Sequence, residues 1–324
     1  MVEKIRRSGR RGALRAALLA VALLAVPAAA GCGASSAAPG GGAPHAPAAP
    51  AAFPAADCIP DRYTPRPARI DGPAVQRIRD RGHLLAAVDV NSYLWASLGR
   101  ESREPEGFEV DVVRAIAEDI LGPGARVKYI SMPPYDRIPR LRKHHVDVLV
   151  RAMSVSCARV RQVAFSAPYF ETGHRLVTPE ESPIADFGPS VRGKRVCYGK
   201  GSSAGDLFRR SATGAVAVEA ESHLDCVVEV TQGRADAILT HATLGAGLVA
   251  QDPTLHLVGP RLDTSLYAVA MHRDDQDLVR RVNAVLEEYR RGGAHSRWTA
   301  SYDRWLRPLL GPAPGGPPPV AYTG

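Results

Sequence analysis

The sequence predicts an α/β protein with largely parallel sheets. Two observations carry this. From about Pro73 to Leu310, short apolar runs of strand length alternate with stretches whose apolar residues recur at helical spacing. The strand-like runs are near-continuously apolar, as strands buried on both faces require.

Taken in order, "HLLAAVDV" (83–90) reads as a buried strand. "GFEVDVVRAIAEDILG" follows, a helix with Val113, Ile116, Ala117 and Ile120 on one face and Gly122 as its stop. "VKYISM" is a strand, "RIPRLRKH" a short helix, and "VDVLVRAM" a strand with Val146, Val148 and Val150 on one face. "VRGKRVCYGKGSSAGDLF" reads as strand, glycine-bearing turn and helix start. "SHLDCVVEVTQG" is a helix and "ADAILT" a strand. "DLVRRVNAVLEEYRRGG" is a long amphipathic helix striped by Leu278, Val282, Val285, Leu286 and Tyr289. There are no internal repeats.

The ends of the chain have different physics. Residues 1–31 read as a secretory signal: six cations around a single Glu3, then the apolar run "AALLAVALLAV", too short to span a bilayer comfortably. Small residues follow, "PAAAGC", ending in Cys32. This resembles a bacterial lipobox, in which the cysteine is lipidated after cleavage. Residues 32–57 are nearly all Ala, Pro, Gly and Ser, with no apolar periodicity, and are expected to be a flexible tether. Residues 311–324 ("GPAPGGPPPVAYTG") are expected to be disordered on the same grounds.

Charge sharpens the picture by subtraction. The formal net charge is +8, but the signal segment supplies +5 of it, so the rest of the chain does not read as a polyanion binder and no nucleic-acid partner is expected. With Cys32 set aside, Cys58, Cys157, Cys197 and Cys226 form an even set in an exported domain, enough for two disulfides in any of three connectivities. No CxxC or Cys/His spacing fits zinc, so neither metal nor cofactor is expected.

In parallel α/β sheets, ligands bind beyond the carboxyl ends of the strands. The segments selected by that rule are Asp89–Trp95, Ser131–Arg137, Arg151–Arg159, Gly199–Ala204 and Thr240–Thr243. They hold arginines, hydroxyls and aromatics, with no obvious nucleophile–base pair. "GKGSS" lacks the Walker A order.

"GFEVDVVRAIAEDILG", "RIPRLRKHHVDVLV", "SVSCARVRQVAFSAPYFETG", "RGKRVCYGKGSS" and "GRADAILT" occur in this order. Together they resemble the bacterial extracellular solute-binding proteins of family 3, the polar amino-acid receptors of ABC transporters. "DVNSYLW", "SVSCARV" and "KRVCYGKGSS" look most like its actinobacterial glutamate/glutamine-binding lipoproteins. The resemblance spans about Gly82 to Leu306. It implies a two-lobe type II periplasmic-binding fold: a first lobe from 58–168 and 270–310, a second from 174–264, hinges at 169–173 and 265–269, and a ligand cleft between the lobes.

The resemblance also assigns residues. Arg159 would grip the ligand's α-carboxylate with its two-pronged guanidinium, assisted by Ser154, Ser156 and the backbone at Ala152. Ser202 and the amides of the helix start would complete that site from the second lobe. Arg137, and less directly Arg151, would meet a side-chain carboxylate. Asp89 ends the first strand near the ligand's side chain. Tyr93 and Trp95 would lid its aliphatic part, and Asp111 would cap or bridge near the cleft. Bridges Cys197–Cys226 and Cys58–Cys157 fit the same arrangement.

One departure stands out. After "DAILT" the family usually carries an aspartate that accepts from the ligand's α-ammonium; this chain reads "THA", with His241. A neutral imidazole accepts one hydrogen bond and a protonated one repels an ammonium. Either another carboxylate such as Asp89 substitutes, or the ligand lacks an amine, or amino-acid affinity has decayed. The expectation is a monomeric, lipid-anchored receptor on the extracytoplasmic face of the cell membrane. It would capture a small anionic amino acid, glutamate or aspartate, or an amine-free dicarboxylate. Its partner would be an ABC permease or a membrane sensor protein. An enzyme is not expected: Asp89 and Glu109 are the only candidate cleft acids and nothing marks either for catalysis.

Overall fold

The computed structural model describes residues 63–99 and 101–323. The signal segment, Cys32, the tether and Cys58 lie outside the described residues.

Two five-stranded sheets organise the chain. In the first, β1 (Leu84–Ala87) pairs parallel with β2 (Val127–Ile130) and β3 (Val148–Leu149), and two antiparallel strands complete the edge: β10 (Ser265–Met271) beside β3, and β4 (Ala164–Thr172) beside β10. The second repeats the plan. There β6 (Arg195–Gly199) lies parallel to β7 (Val216–Ala220) and β8 (Ala237–His241), β5 (His174–Pro179) runs antiparallel to β8, and β9 (Leu255–Val258) lies antiparallel at the edge. Each sheet therefore has the order second–first–third strand of its own parallel unit, then the strand arriving from or leaving for the other lobe, then an edge strand. The parallel part was legible in the apolar runs; the antiparallel edges belong to the crossing segments.

The chain leaves the first sheet at Gly173 and returns between Val258 and Ser265. Of the expected hinges, 169–173 and 265–269, residues 169–172 lie in β4 and 265–269 in β10 of the first sheet. They pair with each other, Thr172 opposite Ser265 and Phe170 opposite Tyr267. Gly173 is required by close approach: a Cβ built there would sit 2.0 Å from the Asp263 carbonyl oxygen on the returning segment.

Helix Phe108–Leu121 forms where the spacing predicts it, with Val113, Ile116, Ala117 and Ile120 against the sheet and Gly122 at its end. Its Gly107 cap has φ 134°, and a Cβ there would meet the Trp95 carbonyl oxygen at 2.5 Å. Helix Gln276–Arg290 buries the stripe Leu278, Val282, Val285, Leu286 and Tyr289. Val146, Val148 and Val150 are all buried, but Val148 and Val150 join the larger core of the first lobe while Val146 packs with Leu149 on the other side.

Trp95 is a core residue rather than a lid. It is fully buried, with Phe170, Phe108 and Tyr267 rings edge-on at 4.8, 5.6 and 5.8 Å. Asp111 accepts from the Ser301 hydroxyl and the Trp305 indole, each at 2.8 Å, so it ties two helices together.

The C-terminal stretch expected to be disordered is folded against the first lobe. Ala313, Val320 and Tyr322 pack on its core, Arg290 donates to the Pro318 carbonyl, and Tyr322–Thr323 pairs parallel with Thr64–Pro65. A proline-rich segment shows no periodicity of its own, yet its few apolar residues are enough to dock it in extended form. In the second lobe Cys197 on β6 and Cys226 on helix His223–Thr231 are disulfide-bonded, with Cα atoms 5.6 Å apart. Cys157 is disulfide-bonded as well, and its expected partner Cys58 lies outside the described residues.

Candidate ligand-binding site

Between the lobes lies a cavity of about 290 Å³, faced by Ser154, Ser156 and Arg159 from the first lobe and by His174, Ser203 and Asp206 from the second. It continues into a narrow inner pocket of about 40 Å³ bordered by Asp89, Arg137, Arg151 and Ala152 on one side and His223 and His241 on the other. His174 and Ser203 line both. The lobes also touch at the rim, where the Lys200 ammonium lies 5.3 Å from the Tyr135 ring centroid.

Arg159 opens helix Cys157–Val160, whose cap Ser156 accepts from the Arg159 backbone N–H. Its Nη1 donates to both the carbonyl and the hydroxyl of Ser154 at 3.0 Å, which aims the guanidinium; Nη2 reaches only to 3.9 Å from Asp206. The side chain is buried, and burial lowers its pKa. Such a cation gains from any anion that joins it.

The inner arginines are more committed. Arg137 Nε donates to the Pro134 carbonyl and Nη1 to that of Arg151. Burial first, then the neighbouring charges of Arg151 and Arg159, push its pKa well below the ordinary arginine value. Arg151 Nη2 lies 3.1 Å from Asp89, while its Nε has no hydrogen-bond partner among the described residues. Asp89 also accepts from Ser92 Oγ and the Asn91 N–H. Desolvation opposes its ionisation, but Arg151, His223 and these bonds outweigh it and its pKa is lowered. Asp89 is thus held within its own lobe. The Ala152 N–H, expected to assist the ligand, donates instead to Glu109 at 2.7 Å, and Ala152 itself sits at φ 44°. Tyr93 borders a further crevice, lined by Leu94 from its own lobe and by Leu224 and Gln251 from the other.

From the second lobe, Ser202 caps helix Ser203–Arg210, its hydroxyl accepting from the Gly205 N–H at 3.3 Å. Ser202 and Ser203 both line the inner pocket, and Ser203 borders the outer cavity as well. Ser202→Ala should therefore cost about 1 kcal/mol of stability, read from the urea midpoint. It should weaken ligand binding less than Ser203→Ala does.

Ser203 belongs to a chain of hydrogen bonds. His174 Nδ1 lies 2.8 Å from Asp263 Oδ2, His174 Nε2 lies 3.0 Å from Ser203 Oγ, and His241 Nε2 lies 3.3 Å from the same hydroxyl. The carboxylate holds a proton on His174 Nδ1, and the donor and acceptor roles along the rest of the chain follow the tautomers of the two rings. The two rings stack at 4.1 Å, and His241 meets Tyr267 edge-on at 5.0 Å. Carboxylate, imidazole and hydroxyl follow the order of a hydrolytic triad. Here the hydroxyl is tied from both sides, which suits holding a ligand group rather than attacking one.

Sequence reasoning missed His174, Asp263 and His223, and within the selected segment Gly199–Ala204 it singled out Ser202 without Ser203. The strand-end rule selects residues after parallel strands. His174 opens an antiparallel strand and Asp263 sits on the return crossing, so neither was in reach. The signal available was a histidine directly after Gly173 at the crossing.

Fold and cleft together define a two-lobed receptor for a small solute, with a cationic site between lobes joined by two crossings. The family model for bacterial extracellular solute-binding proteins, family 3, matches residues 85–308, and the chain belongs to that family. Among curated relatives, the ABC transporter glutamine-binding protein GlnH of Bacillus subtilis is 26% identical over 230 residues, covering 71% of this chain and 83% of the relative. The glutamate/aspartate import solute-binding protein of Salmonella typhimurium is 25% identical over 208 residues, covering 62% and 68%. Among solved structures, a mutant of the arginine-binding protein ArgBP from T. maritima superposes with TM-score 0.66 at 27% identity, covering 72% of this chain and 99% of that one. The chain is thus a solute-binding receptor of the amino-acid ABC-transporter class. No helix among the described residues is long and apolar enough to cross a membrane.

Proposed function

We propose that this receptor captures a small anionic solute, of the size and charge of glutamate or aspartate, and delivers it to an ABC importer by closing its lobes. One observation carries the reading. Three buried arginines, Arg137, Arg151 and Arg159, converge on the cleft, and among the described residues the one buried carboxylate paired with them is Asp89, already bonded to Arg151. Arg159 takes the ligand carboxylate in two parallel N–H···O bonds, and the N-terminus of helix Ser203–Arg210 closes on it from the other lobe. The relative that imports glutamate and aspartate supports a ligand of this class. The lobes turn about the crossings at Gly173 and 259–264. Lipid on Cys32 and the 32–57 tether keep the monomeric receptor at the membrane face. The same closure would serve a membrane signalling partner, and co-purification of the crosslinked, ligand-loaded receptor with a permease rather than a sensor protein separates the two.

Calorimetry with glutamate, aspartate, glutamine and succinate tests the ligand class. Heat is expected from acidic ligands in preference to glutamine. Absence of heat from every acidic ligand removes the reading.

A further inference from the structure

Within the family pattern the end of β8 is where an acid meets the ligand's ammonium; here it carries His241. The structure surrounds that position with donors. His174 and Ser203 are joined to His241 as described, and His223 contributes a third imidazole to the same inner pocket. Arg159 and Arg137 face the corner from the first lobe, and their charges act on His241. The acids nearby have partners: Asp263 with His174, Asp206 with Arg209, Asp89 with Arg151, and Glu109 with Tyr169 and Ala152. An ammonium placed here meets no free carboxylate among the described residues, whereas an anion meets the charges of Arg159 and Arg137.

We infer that the corner formed by His241, His174 and Ser203 is a second anion subsite, and that filling it takes up a solvent proton onto the imidazole pair. The inference rests on the anionic-ligand reading above and narrows it to diacids without an ammonium at that end. A neutral imidazole keeps one ring nitrogen with a free lone pair, and that nitrogen of His241 takes the proton; no other bond changes. Burial first, then His174, Arg159, Arg137 and His223, hold His241 well below the ordinary histidine pKa, so it is neutral at pH 7 until an anion arrives. His223 is lowered too, by burial foremost, with Arg151 and Arg137 adding and Asp89 and Asp225 opposing. Tyr267 and Thr243, hydrogen-bonded to each other, supply hydroxyls on the remaining side and no charge. Because the His174 and His241 rings stack at 4.1 Å, two protons there would repel, and one proton per ligand is the expected count.

The test compares pairs that differ only by the amine: glutarate with glutamate, and succinate with aspartate. Titrating the full chain calorimetrically from pH 6.5 to 8, in buffers of different ionisation heat, counts protons directly. Over this range the diacids keep their charge. The amine-free member of each pair should bind more tightly, with uptake approaching one proton and affinity rising up to about tenfold per pH unit as pH falls. His241→Gln, which donates but cannot be protonated, should keep binding and lose the uptake. His241→Asp should reverse the preference toward glutamate and aspartate. Tighter binding of the amino acids by the wild-type chain, or affinity independent of pH, overturns the inference and leaves the anionic-ligand reading intact. Uptake that persists in His241→Gln also overturns it. If no acid of either kind binds, the anionic-ligand reading falls and this inference with it.

Discussion

Arg159→Ala should abolish capture of the acidic ligand proposed above. Removing one partner of a buried, hydrogen-bonded charge pair costs about 2–5 kcal/mol, or roughly 30-fold to several thousand-fold in affinity. Arg159 belongs at the upper end because its geometry is set in advance. Two bonds to Ser154 hold Nη1, the Ser156 cap anchors the backbone, and Nη2 has only a distant, half-exposed Asp206 to satisfy it. Ordering the side chain on binding therefore costs little. Arg159→Lys is the informative companion. It keeps the charge and loses the planar fork, so an affinity loss of at least about tenfold separates bidentate recognition from general attraction. Both are read by calorimetry with the ligand that the wild type binds, alongside a melting curve. Wild-type affinity in Arg159→Ala would place the carboxylate elsewhere.

How much of this was visible beforehand depended on whether one element or several define a position. Helix Phe108–Leu121 and the stripe of helix Gln276–Arg290 are written in local periodicity, and they form as spaced. Arg159 was found because it follows a strand and stands in a recognisable block. Trp95 was misplaced because an aromatic after a first strand serves a lid or a core equally well; only the arrival of Phe170 and Tyr267 from distant strands decides it. The histidine network could not be read at all. Its members are separated by up to 89 residues and meet only because the two crossings run side by side. Ser202 and Ser203 show the finest limit: both line the inner pocket, and only where the helix starts decides which hydroxyl caps it.

Glu109→Gln should stabilise the protein above neutral pH and do little below pH 5. Glu109 is fully buried in the second position of its helix. Its Oε1 accepts from the Tyr169 hydroxyl at 2.5 Å and the Ala152 N–H at 2.7 Å, and its Oε2 has no partner among the described residues. Burial outweighs those two bonds and raises its pKa from 4.5 to about 7, with Asp89 adding to the rise and Arg151 opposing it. Below the unfolded pKa both states are protonated and folding loses nothing. As pH climbs toward 7 the unfolded chain releases the proton while the folded one keeps it, so stability falls by roughly 1.4 kcal/mol per pH unit, to about 3 kcal/mol by pH 8. Glutamine keeps the shape and the oxygen that accepts both bonds but carries no titrating proton. Denaturant melts of the two proteins should coincide at pH 5 within about 1 kcal/mol and separate in favour of the variant by up to about 3 kcal/mol at pH 8. Parallel stability curves from pH 5 to 8 would show that Glu109 titrates alike in both states. The effect also reaches the cleft. Glu109 holds the N–H of Ala152, whose left-handed backbone borders the inner pocket between Arg151 and the binding loop. Glu109 therefore titrates beside the site, bonded to the backbone that borders the inner pocket.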